Sequence, residues 1–162
     1  MDARVRSVQP ISTELLFDIV VDLQPKLSFG AGPYGVRIFY GSAGGTFEGP
    51  NVRGQVLSGG GDWTLFRPDG AMSLDVRLGL RTNDGDLIHM TYGGRWIVPD
   101  KLRPTIADAS LRYTIDPSEY YFRTTPQFET GSQRYAWLND AVCIGSGYLV
   151  EGGVAYRVFR VV

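Results

Sequence analysis

Hydrophobic and polar residues alternate at a two-residue period along most of this chain, the mark of strands with one buried face. From Glu14 to Leu23 the apolar phase is Leu15, Phe17, Ile19, Val21 and Leu23. From Met72 to Leu80 it is Met72, Leu74, Val76, Leu78 and Leu80, opposed by Ser73, Asp75, Arg77 and Gly79. An Asp-Gly turn within Thr82–Asp86 leads into Leu87–Tyr92 and predicts a hairpin. A short strand at Trp63–Phe66 ends at the turn Pro68-Asp69-Gly70, and Gly152-Gly153 joins strands at Cys143–Val150 and Val154–Val162. Further strands are predicted at Val36–Tyr40, Gly45–Glu48, Val52–Leu57 and Tyr120–Thr125. Helix signals are confined to Thr105–Leu111 and one turn at Asp116–Glu119, where Pro117 suits a first helical position. The pattern predicts an all-β protein, one domain over residues 1–162 with its core at 12–162. A closed antiparallel barrel of about eight to ten strands ranks ahead of a sandwich, because closure removes strand edges that this sequence scarcely guards with Lys or Pro.

Composition narrows the class. A chain of 162 residues can enclose a sizeable core, and its 21 glycines and 12% aromatic residues suit tight turns and strands. The net charge of −1, with no basic run, argues against a nucleic-acid partner. No segment approaches the ~20 apolar residues of a membrane helix, so no membrane partner is expected. The N-terminus carries no signal-peptide pattern, which makes a cytoplasmic protein the expectation. Cys143 is the only cysteine, which rules out an internal disulfide, and in the apolar run Ala141–Ile144 it reads as a small core residue. His89 is the only histidine, and neither a dinucleotide fingerprint nor a phosphate loop occurs. Neither a metal nor another cofactor is expected.

What remains is hydrogen-bond and proton chemistry. In the run from Tyr120 to Glu129, Tyr121, Arg123, Thr125, Gln127 and Glu129 share one strand face, with Tyr120, Phe122, Thr124 and Phe128 on the other. Tyr, Arg and Glu together, followed by Tyr135, Trp137 and Asn139, suit the inside of a barrel that grips a small molecule. In Gly44–Pro50 and its continuation Arg53-Gly54, glycines mark a bulge, a barrel corner or close approach by a ligand, with Glu48 among them. Glu48 is then either a base in a narrow cavity mouth or one half of an ion pair at the rim. Gly59-Gly60-Gly61 delivers Asp62 and Trp63 at a loop-to-strand junction, Asp62 as a functional carboxylate or a turn cap, Trp63 as a closure of the barrel end. A carboxylate desolvated among aromatic rings has its pKa raised toward the range useful for proton transfer, and a fixed Arg can hold an enolate.

Four motifs in order, Gly-Gly-x-Phe-Glu-Gly-Pro at 44–50, Gly-Gly-x-Asp-Trp from Gly59/Gly60 to 63, Tyr-Phe-Arg-Thr-x-Pro-x-Phe-Glu-Thr-Gly at 121–131 and Tyr-x-Trp-Leu-Asn at 135–139, resemble the domain-of-unknown-function family 3237. The resemblance implies a compact β-barrel, often a homodimer, with a pocket lined from these motifs, and it gives no residue a role. The resulting expectation is a cofactor-independent enzyme of isomerase, cyclase or hydro-lyase type acting on a small, partly hydrophobic carbonyl compound. Glu48, Asp62, Tyr121 and Arg123 are its expected catalytic residues. Arg53, Trp63, Thr125, Glu129, Trp137 and Asn139 are its expected substrate contacts. A lipocalin-like carrier or sensor using the same lumen is the alternative, and a structural protein whose aromatic strands form a dimer interface is a third. Arg123 with Glu48 or Asp62 in one cavity is the arrangement the enzyme expectation requires.

Overall fold

A computed structural model describes residues 2–162. Ten strands form, all but β2 in segments where the sequence predicts them: β1 (Thr13–Leu23), β2 (Leu27–Gly32), β3 (Gly35–Glu48), β4 (Arg53–Val56), β5 (Gly61–Phe66), β6 (Met72–Thr82), β7 (Leu87–Ile97), β8 (Tyr121–Glu129), β9 (Cys143–Val150) and β10 (Gly153–Val161). Every pairing is antiparallel. The wall runs β1–β10–β9–β8–β7–β6, then through β4 and β5 to β3, and β3 closes it on β1. β4 and β5 occupy one wall position in series, so the barrel has eight staves. β2 lies outside, paired to β3 alone and exposed along its whole length. It falls in a stretch rich in Gly, Ser and Pro where the sequence predicts no strand.

β3 is one long strand where two were expected, and its middle explains why. Its first half pairs with β2 and β5, its second with β1 and β4. The change occurs at Gly44-Gly45, with φ of 135° and 141°. A Cβ on Gly45 would lie 2.0 Å from the Val20 carbonyl oxygen, so only glycine lets the strand turn this barrel corner. β8 runs through Pro126 to Glu129 without a break. It pairs with β9 only at Arg123–Ser146 and Thr124–Gly145, so Pro126, which has no N–H to give, sits where that ladder has already parted.

The apolar phase of the strands fills the lumen unevenly. Phe17 meets Phe47 and Phe128 with ring centroids 5.4 and 5.7 Å apart, and Leu80, Ile88 and Met90 are buried in the same core. A 3-10 turn at Ala136–Asp140 plugs this end with Leu138, 1% exposed. At the other end a second ring cluster, Trp96, Phe122, Tyr92 and Tyr156, leaves space between its members. Over that end lie the connection after β7, with a five-residue helix α1 (Arg103–Ala107) between 3-10 turns, and the link Gln24–Lys26. A further 3-10 turn at Pro117–Glu119 is capped by Asp116, whose carboxylate accepts from the Ser118 amide at 2.8 Å.

Candidate functional site

A cavity of about 650 Å³ occupies the open end of the barrel. That is within the ~300–1,000 Å³ of small-molecule pockets. Its apolar walls include Leu78, Phe122, Trp96 and Ile106, and its polar groups include Asp62, Tyr40, Tyr92, Tyr156, Arg112 and Lys26, with Thr64 and Ser42 in the wall between.

Asp62 reaches the cavity because of the glycines before it. Gly61 is buried, and a Cβ there would stand 2.5 Å from the Tyr40 carbonyl oxygen, so its absence lets β5 tuck between β3 and β6. The β5–β6 ladder lapses between Asp62–Val76 and Leu65–Ser73, and there the Asp75 amide donates to Asp62 Oδ1 at 3.0 Å. One hydrogen bond does not compensate this half-buried carboxylate for lost water. Burial pushes its pKa up to about 7, and the nearby Asp75 charge adds to the rise, while the Asp75 amide and the Arg37 guanidinium oppose it.

Three tyrosines feel that carboxylate. Tyr92 and Tyr156 are buried and pack edge to face, with ring centroids 5.2 Å apart. Burial raises both pKa values well above the ordinary tyrosine range, and the Asp62 charge raises them further. Tyr40 is raised by burial too, with Arg112 pulling it down and Asp62 pushing it up. Both hydroxyls of the Tyr92–Tyr156 pair stay protonated at neutral pH. Trp96 Nε1, in the same wall, is a buried polar atom without a hydrogen-bond partner among the described residues. No group of three or more His, Cys, Asp or Glu side chains stands together as a metal site among the described residues.

The other sequence-predicted residues lie elsewhere. Tyr121, Arg123, Thr125, Gln127 and Glu129 are all exposed, so the polar column of β8 faces water, and Phe122, Thr124 and Phe128 face the lumen. That corrects the expectation of a lumenal column: the inner face of this strand must fill a dry core, and unpaired charges there would cost several kcal/mol. Arg123 donates to the Phe122 carbonyl and to Ser146 Oγ, both at 3.0 Å, and its guanidinium lies 5.3 Å from the Tyr121 ring centre. It shares no cavity with Asp62 or Glu48. Glu48 and Arg53 are exposed cross-strand neighbours on β3 and β4, and neither lines the cavity. Trp63 points outward, packed on Phe39 and Phe29 with centroids 4.5 and 5.6 Å apart, and closes nothing. Glu129 sits 3.9 Å from His89 on the outer surface. Asn139 clamps the Thr130 backbone, accepting from its N–H at 2.8 Å and donating to its carbonyl at 3.0 Å. Trp137 packs at the plugged end under Arg160.

Of the ten predicted site residues, Asp62 alone lines the cavity. The residues missed, Tyr40, Tyr92, Tyr156 and Arg112, had a signal for two: Tyr92 and Tyr156 sit in the apolar phase of β7 and β10, between Met90 and Trp96 and between Val154 and Val158. A polar tip on a hydrophobic phase points inward; a polar face points out.

A closed eight-stave β-barrel, plugged at one end and hollow at the other around one carboxyl and four tyrosines, is the class of protein that fold and site define. The chain belongs to the family described as "Protein of unknown function (DUF3237)", whose model matches residues 11–161. Its fold is similar to that of a conserved protein of unknown function, RPA1785, from Rhodopseudomonas palustris, at 29% identity and a TM-score of 0.87 over 96% of this chain and 100% of that one. It is similar also to a β-barrel-like protein from Acinetobacter baumannii AYE, at 34% identity and a TM-score of 0.83 over 96% and 99%. An enzyme from Penicillium herquei shares the fold at 20% identity, with a TM-score of 0.71 over 98% and 99%.

Proposed function

We propose that the protein is a cofactor-independent enzyme that moves a proton on a small, partly hydrophobic carbonyl compound held in the hollow end of the barrel. The observation that carries the reading is Asp62, a carboxyl with a pKa of about 7 in the wall of a ligand-sized cavity. Such a group is half ionised at neutral pH and can both take and return a proton.

Asp62 takes a proton from carbon next to the carbonyl, and the C–H electron pair moves into the C–C–O system as an enolate. The Tyr92 and Tyr156 hydroxyls lie close enough to feel the Asp62 charge and supply hydrogen bonds to the enolate oxygen. The Asp62 carboxylic acid then returns the proton at another carbon for an isomerisation, or after an internal addition for a cyclisation. Arg123 and Tyr121, on the outer surface, take no part. The fold-sharing Penicillium herquei protein is described as an enzyme, which accords with catalysis on this barrel without indicating the reaction.

The test is deuterium exchange. A panel of aryl ketones and 1,3-dicarbonyl compounds is incubated with the protein in D₂O and followed by proton NMR. Enzyme-dependent exchange at the activated carbon, lost in Asp62→Asn, supports the reading. Exchange at the wild-type rate in Asp62→Asn would overturn it, and tight binding with no exchange on any compound would leave a carrier in its place.

A further inference from the structure

The mouth of the cavity carries a charge that the proton-transfer reading does not use. Two segments, Gln24–Lys26 and the stretch Ile106–Tyr113, form its rim, and their charged lining residues are Lys26 and Arg112. Both are cations. Two carboxylates stand by the rim without lining the cavity, Asp108 and Glu151; Asp108 is near enough to feel the Arg112 charge, but its side chain is taken by the Ser110 amide and hydroxyl at 2.8 and 2.6 Å. Neither Lys26 nor Arg112 forms an ion pair among the described residues, although Arg112 is half-buried.

Arg112 is also oriented. Its Nε donates to the Asp108 carbonyl at 3.3 Å and its Nη2 to the Ala107 carbonyl at 3.2 Å, which fixes the guanidinium plane and leaves Nη1 without a protein partner. Tyr40, which lines the same cavity, feels the charges of both Arg112 and Asp62. A planar guanidinium held by its own backbone, with one donor edge free at a cavity rim, suits a carboxylate better than a lysine alone does.

We propose that the ligand of this cavity is an amphipathic monocarboxylate. Its aromatic or alicyclic body lies against Trp96, Phe122 and Leu78, and its carboxylate sits at the mouth on Arg112, with Lys26 as a second, looser cation. This rests on the small-molecule reading of the cavity. It adds a polarity to that reading: carboxylate at the rim, reacting carbon toward Asp62.

The experiment compares 2-naphthoate with its neutral isostere 2-naphthamide by isothermal titration calorimetry, at low salt and about pH 6, where the probe is ionised and Asp62 mostly protonated. The wild type is expected to bind naphthoate at least about tenfold more tightly than the amide, a difference worth about 1.4 kcal/mol. Arg112→Gln should remove most of that preference with amide affinity unchanged, Arg112→Lys should restore it in part, and Lys26→Gln should cost only about two- to threefold. Equal affinity for the two probes overturns the carboxylate inference and leaves the cavity reading standing. An equal fall for both probes in Arg112→Gln also overturns it, because Arg112 is then a strut for the rim. Failure of both probes to bind the wild type overturns the inference and the small-molecule reading together.

Discussion

The two ends of the barrel are built from the same kind of ring contacts and differ in what they enclose. At the plugged end Phe17, Phe47 and Phe128 pack with centroids 5.4 and 5.7 Å apart and side chains that carry no polar atoms. At the open end Tyr92, Tyr156, Phe122 and Trp96 pack at 5.2 to 5.4 Å, and beside them lies a space of about 650 Å³. Along β8 the two clusters are marked by Phe122 and Phe128, roughly 20 Å apart at strand rise. Side chains that are wholly apolar gain most by closing on one another. Hydroxyls and a carboxyl on the same inward phase must be hydrogen-bonded or solvated, so that end stays hollow. One end supplies stability and the other spends some of it on a site.

The largest effect that tests this contrast is at the plugged end. Phe17→Ala removes a ring that is 1% exposed, and unfolding in urea should show a loss of about 3–5 kcal/mol. Naphthoate affinity per folded molecule should not change. A cost below about 1 kcal/mol would mean that this end is not the close-packed core.

At the open end the prediction reverses sign. Native Asp62 keeps its proton to about pH 7, whereas the unfolded chain gives it up near the ordinary value of 3.8. Between those limits the native state binds more protons, so this residue lowers stability as pH rises and its full cost is present above about pH 7. Asp62→Asn keeps an acceptor for the Asp75 amide and removes the titration. The variant should match the wild type near pH 4 and exceed it above pH 7, by no more than about 4 kcal/mol at 1.36 kcal/mol per pH unit of displacement. Melting curves across that range check it, and parallel curves for the two proteins would contradict the assignment.

Tyr156→Phe is a smaller probe. It removes a buried hydroxyl and keeps the ring packing on Tyr92, and stability should move by no more than about 1 kcal/mol by denaturant titration. On the proposed function it should slow proton exchange more than it weakens binding. A weakened affinity with unaltered turnover would make the pair a binding contact only.

The smallest effect belongs to the outer polar column. Arg123→Ala deletes an exposed side chain that has one hydroxyl, one carbonyl and an aromatic neighbour, and stability should move by no more than about 0.5 kcal/mol. Ligand affinity should not change at all. A lost activity in this variant would return the site to the outside of the barrel.

The architecture was legible because alternation is a local signal. The runs of β1, β6, β9 and β10 state their own period, and Asp84-Gly85 states its turn. β2 was not legible, since nothing buries it and its Gly- and Ser-rich sequence has no core to record. Closure at Gly44-Gly45 was half legible: paired glycines announced a corner without saying which strands meet there. The site was harder. Asp62 could be found from the three glycines that deliver it. The β8 column misled because a row of Tyr, Arg and Glu looks the same whether it lines a lumen or faces water, and only the company of the opposite phase decides. Phe122 and Phe128, opposite that row, are rings that a core requires, and they fix which way the strand turns. Arg112 was out of reach: it lies outside the strands, and it comes to the mouth through hydrogen bonds to the backbone of its own loop.

The account stands on Asp62 as a carboxyl poised between charged and neutral in the hollow end of the barrel. Carbon-13 NMR of aspartate side-chain carboxyls, titrated from about pH 3 to pH 9 and assigned with Asp62→Asn, measures that directly. The expected result is one resonance titrating near pH 7 that is missing from the variant, with Asp2, Asp69, Asp108 and Asp116 titrating below their ordinary value. A resonance for Asp62 that titrates near pH 4 would contradict the account, because a carboxylate so easily ionised is solvated and is not the base of a desolvated site.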